Sequence, residues 1–251
     1  MLVSETLKRA GFRHGFTTRA GGVSAPPFDT LDFAILRDPE GLAENHRRLA
    51  RAVGFDPAFL YQAKQVHGRA VVRAEGEATR MLAHAADALI GEPRSGVAVA
   101  VRIADCVPVL IADPASGRVA AVHAGWRGVA ADGVGAAVRQ LARDGSGLVA
   151  AIGPCIGGCC FEVDEDVADT LARTTTDSVV VRRDSSTGKA FVDLRAGVRT
   201  QLRALGLSDT AIEDIPVRGS AGCTRCDAQR FYSYRRDGDA SGRLIAVIVA
   251  R

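Results

Sequence analysis

No apolar run in this chain approaches the roughly 20 residues that a bilayer-spanning helix requires. The longest, "LIAVIVA" at 244–250, is far too short, which excludes a helical membrane span. The N-terminus "MLVSETLKRAGFRHGF" lacks a basic start followed by an apolar core, so it does not read as a secretory signal and the expected location is the cytoplasm. There is no basic block of the kind that binds nucleic acid. Lys and Arg total 32 against 29 Asp and Glu, and the pairs Arg47-Arg48, Arg182-Arg183 and Arg235-Arg236 are scattered. Repeats, low-complexity tracts and linkers are also missing, so residues 1–251 are expected to form one domain. "GGVS" and "GCTRC" lack the spacing of Walker or Rossmann loops, and "PCIGGC" has one residue too many for the cytidine-deaminase zinc signature.

What remains is a 251-residue chain, 47% apolar, able to bury a sizeable core. The segment "GLAENHRRLARAVG" places Leu42, His46, Leu49 and Val53 at helical spacing and stops on Gly54. Strands are expected at "HGFTTR", "AVVRA", "VAVAVR", "VPVLIAD", "RVAAVHA", "FYSYRR" and "RLIAVIVA", with "PASG" closing a hairpin between the fourth and fifth. Further helices are expected over "GVAADGVGAAVRQLAR", "DEDVADTLART" and "LRAGVRTQLRALG". Strands and helices in separate blocks point to an α+β class with a mixed sheet.

The stretch "IADCVPVLIADPASGRVAAVHAGWRG" sets Cys106 before one apolar strand and His123 near the end of the next. Both flank the hairpin at the end opposite its turn, where the topology brings them close, and strand ends are where reactive groups gather on a rigid scaffold. Taken singly, Cys106 reads first as a small buried hydrophobe. Paired with His123, and with His67 of "QVHG", it completes a His2Cys set that leaves a fourth position open, as a catalytic zinc site requires. A helix beginning near Gly128 would put free N–H groups beside His123, with Arg127 adding a cation for an anion such as phosphate. The alternative is that Arg127 pairs with a carboxylate while Trp126 only packs. The six cysteines are expected as thiols, ligands or catalytic groups in a reducing compartment. "GPCIGGCC" and "GCTRC" invite a four-cysteine metal or redox reading, but they lie far apart in sequence, and Cys159, Cys160 and Cys226 read as structural. His14 and His84 stand outside any cluster and read as partly exposed.

Taken in order, "HGFTTRAGGVS", "ENHRRLA", "QVHG", "ADALI", "ADCVPVLIAD", "AAVHAGWRG", "IGPCIGGCCFEV", "DLRAGVRTQL" and "FYSYRRDG" resemble the laccase-domain family. That family was long labelled multicopper polyphenol oxidase and later described as purine nucleoside phosphorylases. The resemblance implies a layered α+β sandwich of mixed β-sheets flanked by helices and a zinc site at His67, Cys106 and His123, the expected catalytic centre. It also implies phosphorolysis of adenosine, inosine and methylthioadenosine together with deamination of adenosine. On that footing Arg19, Arg127 and Arg235 are candidates for phosphate or ribose, and Asp87 or Asp105 for a proton shuttle. The chain departs from the family at "LDFA", where an Asn-Leu-Gly stretch is usual, and at Phe161, where a Tyr is usual. His2Cys is also the ligand set of a blue-copper site, which makes a copper-dependent phenol oxidase the alternative. Against it stand only two methionines for an axial ligand and only five histidines, too few for a multicopper cluster. A non-catalytic metal-binding protein is the third reading.

Overall fold

The computed structural model describes every residue except 36, 94–95 and 216–221. Two mixed β-sheets stack face to face. The larger has six strands in the order Ile212–Asp214, Val149–Ile152, Val107–Ala112, Val119–Ala124, Ala88–Gly91, Val71–Arg73. Its outer neighbours pair in parallel and its centre is antiparallel. The second has four strands in the order His14–Phe16, Leu244–Val249, Ala98–Ile103, Leu60–Tyr61. A small antiparallel sheet of Val180–Asp184, Lys189–Val192 and Glu162–Asp164 sits apart.

The layering follows from strand alternation. Val107, Val109 and Ile111 face one way, against Val134, Val138 and Leu141 of the helix Gly133–Leu141 and Val198 and Leu202 of the helix Leu194–Ala204. Leu110 and Ala112 face the other way, against Val99, Val101, Ala246 and Ile248 of the four-stranded sheet. The far side of that second sheet, through Ala98, Ala100, Ile245 and Val247, is covered by Leu49 and Val53 of the helix Pro39–Val53. The result is the expected layered α+β sandwich in one domain. Both central strands are buried along their whole length, which is why they read as continuous apolar runs.

Three expectations are corrected. "FYSYRR" is not a strand: Phe231 and Tyr232 are buried in a loop, and Tyr234–Asp237 is a short helix capped by the Ser233 side chain. The single helix expected over 128–143 is two helices, Trp126–Ala130 and Gly133–Leu141, broken where Asp132 adopts a left-handed φ of 58°. His14 is buried, its ring bonded to the Ser4 N–H and to the Phe12 carbonyl. Among the described residues no helix is long and apolar enough to cross a membrane.

Candidate metal centre and cavity

The hairpin register pairs Pro108 with His123 and Val107 with Ala124, so Cys106 continues its strand directly opposite Gly125. At this end of the two strands the ligand atoms of His67, Cys106 and His123 lie within 4.8 Å of one another. The His67 and His123 rings meet edge to face with centroids 4.9 Å apart. A tetrahedral zinc with bonds of about 2.0–2.3 Å needs ligand atoms roughly 3.4–3.8 Å apart. The 4.8 Å ceiling is compatible with that spacing, and two imidazoles with one thiolate are a donor set that suits zinc. Gly125 makes the convergence sterically feasible, because a Cβ there would stand 2.9 Å from His67 Cδ2 and 3.2 Å from Cys106 Sγ.

Asp87, at the start of the strand Ala88–Gly91 and only 2% exposed, organises the cluster from behind. Its Oδ1 accepts from the His67 N–H at 2.9 Å and from His123 Nδ1 at 2.8 Å. Its Oδ2 accepts from the Gly68 N–H at 2.7 Å and the Val66 N–H at 3.3 Å. One carboxylate thus holds the turn that puts His67 at a left-handed φ of 60° and fixes the orientation of the His123 ring. An ionised carboxylate only accepts, so Nδ1 carries a proton and Nε2 is the ring nitrogen left to face the cluster. Burial alone would raise the Asp87 pKa, but the bonds from His123, Gly68 and Val66 hold it below the usual carboxylate range.

The charges around Cys106 favour a cation. Burial pushes the Cys106 thiol up, yet His123 and His67 beside it outweigh that and bring it down to about 6. Burial pulls His123 down, while the Cys106 thiolate and Asp87 raise it to about 9. The proton on His123 stands where a metal would exert the same attraction.

The cluster opens into a cavity of about 480 Å³, within the usual range for small-molecule sites. Trp126, Phe161 and Tyr234 supply aromatic walls, and Lys64, Arg102, Arg127, Arg235 and Arg243 supply five cations. None of the five is in an ion pair with a described residue. Among the described residues the Arg102 guanidinium is bonded only to neutral groups, Gln62 and the Ala63 carbonyl, and burial with Arg243 nearby lowers its pKa to about 10. Arg127 stacks on the Trp126 ring at 4.4 Å, and Arg235 lies over Phe161 at 5.2 Å while donating to the Glu162 carbonyl.

Other expectations fall elsewhere. Arg19 does not reach this cavity: it lines a separate pocket, where its guanidinium is bound to Asp29 and to the carbonyls of Pro27, Asp29 and Ala228. Of the two aspartates considered for proton transfer, Asp105 lines the cavity and Asp87 lies behind the cluster, and both carboxylates are engaged. Asp87 serves four donors, and the Asp105 carboxylate accepts from the hydroxyls of Thr224 and Ser233 and the Arg235 N–H. The helix beside His123 starts at Trp126 rather than near Gly128 and has five residues, so its dipole adds little. Asp32, in the "LDFA" departure, spends Oδ1 on the N–H groups of Ala34 and Arg243. Lys64, Arg102 and Arg243 escaped the sequence reading; the available signal was an arginine ending the apolar strand "VAVAVR".

A fold of stacked mixed sheets with a His2Cys cluster at the end of its central hairpin defines a class, and comparison agrees. The family model of the multi-copper polyphenol oxidoreductase laccase matches residues 13–251, and the chain belongs to that family. Its curated relatives carry a different activity in their names. A protein of Streptomyces coelicolor named purine nucleoside phosphorylase is 39% identical over 95% of each chain. One of Deinococcus radiodurans with the same name is 38% identical over 94% of this chain and 88% of its own. The crystal structure of YlmD from Geobacillus stearothermophilus matches with a TM-score of 0.85 at 32% identity, covering 99% of this chain and 94% of that one. YfiH from Bacillus licheniformis matches at 0.88 and 28% identity, covering 100% and 96%.

Proposed function

We propose that this protein is a zinc-dependent purine nucleoside phosphorylase acting on adenosine, inosine and methylthioadenosine, with adenosine deaminase activity, in the cytoplasm. The observation that carries the reading is the junction of the His67–Cys106–His123 cluster with a cavity lined by aromatic rings and five cations in no ion pair with a described residue. His67, Cys106 and His123 would hold the zinc, which would supply Lewis-acid chemistry to the reaction. In phosphorolysis a phosphate oxygen attacks C1′, the bond from C1′ to the base breaks, and its electron pair leaves with the purine, which takes up a proton. Arg127 and Arg235 hold and orient the phosphate, and unpaired guanidinium groups suit that role because they make bidentate contacts to phosphate oxygens. Trp126 and Phe161 offer faces on which the base stacks. In deamination water adds at C6 and ammonia leaves, so the same base pocket serves both reactions.

The test is product analysis of zinc-loaded protein with adenosine and inosine, with and without phosphate, beside Cys106→Ala. Phosphate-dependent free base and ribose 1-phosphate that vanish in the variant support the reading, as does inosine from adenosine. Turnover retained by Cys106→Ala refutes it. The copper oxidase alternative gains nothing from the geometry. No methionine lines the cavity, and His14 and His46 are committed to bonds elsewhere in the fold.

A further inference from the structure

The two cysteine pairs that sequence separation keeps apart meet in space. The strand-like bridge between Cys155 and Cys223 lays the 222–227 loop beside the turn at 157–160. The sulfurs of Cys159, Cys160, Cys223 and Cys226 all come within 4.8 Å of one another, with Cys226 at 3.7 Å from Cys159 and 3.3 Å from Cys160. Four thiolates around one zinc at about 2.3 Å define a tetrahedron with edges of roughly 3.8 Å. Two of the spacings fall just below that edge, and all stay within 4.8 Å.

The backbone holds this arrangement independently of the sulfurs. Consecutive cysteines on a strand point to opposite sides, but here the Cys160 and Phe161 N–H groups both close back on the Gly157 carbonyl, and the turn aims both thiols to one side. Gly157 permits the approach, since a Cβ there would lie 3.3 Å from Cys223 Cβ and 3.4 Å from Cys159 Sγ. Across from it, "CTRC" forms a C-x2-C turn in which the Asp227 N–H bonds to the Cys223 carbonyl. Thr224 anchors the turn to the Cys155 carbonyl and to Asp105, and Arg236 binds the carbonyls of Thr224 and Arg225. Arg225 brings its guanidinium to 3.6 Å from Cys160 Sγ, a charge that suits the net negative charge of a tetrathiolate zinc.

We infer that Cys159, Cys160, Cys223 and Cys226 form a second metal site, a structural tetrathiolate zinc separate from the His67–Cys106–His123 centre. Binding deprotonates the thiols, releases their protons to solvent and forms four zinc–sulfur bonds. A disulfide fits the cluster less well. Cys226 lies close to both Cys159 and Cys160, so bonding to one strands the other, whereas a metal uses all four. The site has a consequence for the cavity, because its ligands immediately precede Phe161 and flank the loop tied to Asp105. Zinc there fastens two parts of the cavity wall to each other.

The test is metal stoichiometry on the full chain purified under reducing conditions with zinc supplied. Two zinc ions per chain are expected, falling to one in Cys226→Ser and to one in Cys106→Ala. With cobalt in place of zinc, the intense thiolate-to-metal absorption of a tetrahedral sulfur site is expected to persist in Cys106→Ala and to be lost in Cys226→Ser. Should Cys226→Ser not fold, the wild type decides alone: thiol titration should find Cys159 and Cys226, both exposed, unreactive until a chelator is added. One zinc per chain that disappears entirely in Cys106→Ala overturns the inference. So do immediate reaction of the exposed thiols, iron in place of zinc, or a disulfide to Cys226 in the reduced preparation. Catalysis enters none of these readouts, so failure of the phosphorylase reading leaves this result interpretable.

Discussion

Replacing Asp87 with Asn tests whether one carboxylate organises the metal centre. Oδ1 and Oδ2 together accept four bonds, from the N–H groups of Val66, His67 and Gly68 and from His123 Nδ1. An amide keeps one accepting oxygen and turns an NH2 group toward the remaining donors, so two of the four lose their acceptor in either orientation. Each buried donor left without a partner costs about 1–3 kcal/mol, which predicts a loss of roughly 2–6 kcal/mol of folding stability. Carboxylates that orient metal-bound histidines change metal affinity about 10- to 100-fold when altered, or about 1.4–2.7 kcal/mol. The assays are urea unfolding of the metal-free protein and zinc affinity by chelator competition. Asp105→Asn is the control: its carboxylate serves Thr224, Ser233 and Arg235 and none of the donors that Asp87 holds, so it is expected to lose stability but to keep the zinc affinity of the His67–Cys106–His123 centre, read in a Cys226→Ser background, within about threefold. Asp87→Asn protein with wild-type zinc affinity and an unchanged unfolding midpoint would refute the reasoning.

Gly125→Ala forces a methyl group against His67 and Cys106, and overpacking of about 1–3 kcal/mol predicts a 5- to 150-fold loss of zinc affinity at that centre. Full zinc occupancy under limiting metal would contradict it. Arg127→Ala or Arg235→Ala should raise KM for phosphate about 10- to 100-fold, the worth of one charge-assisted hydrogen bond, while Arg19→Ala leaves it unchanged; steady-state kinetics with varied phosphate decides. Burial, with Arg102 adding its charge, brings the His46 pKa down to about 4. The unfolded chain binds that proton at about 6.5, so His46 lowers stability as pH falls from 6.5 toward 4, with an upper bound of about 3 kcal/mol. His46→Gln should flatten the stability profile in that window, and an unchanged slope in acid unfolding would count against the assignment.

The hairpin was legible because two signals agreed: apolar strands that need burial on both faces, and a turn sequence that allows one register. "FYSYRR" misled because aromatic residues favour strands, yet Asp105, far away in sequence, takes the Ser233 hydroxyl and the Arg235 N–H and holds the segment as a helix start. The break at Asp132 carried a weak local signal in the neighbouring glycines, although the side chain that sustains it pairs with Arg139. The small sheet gave no warning, since Val180–Asp184 is largely exposed and its alternation is correspondingly faint.

At the site, chemistry was readable where one residue sufficed and unreadable where partners decide. His67, Cys106 and His123 are potential ligands by side chain alone, and the topology brings them within 4.8 Å of one another. A guanidinium is different: Arg19 and Arg102 look alike in sequence, and only the fold surrounds the first with Asp29 and backbone carbonyls and leaves the second among neutral groups and other cations. The cysteine pairs are an intermediate case. Each half of the cluster was visible as a motif, but neither half holds a metal, and the contact that joins them runs through Cys155 and Cys223 across the fold. Spacing within a motif therefore predicts a site when the ligands are neighbours in the chain, and predicts only half of one when a sheet must close before they meet.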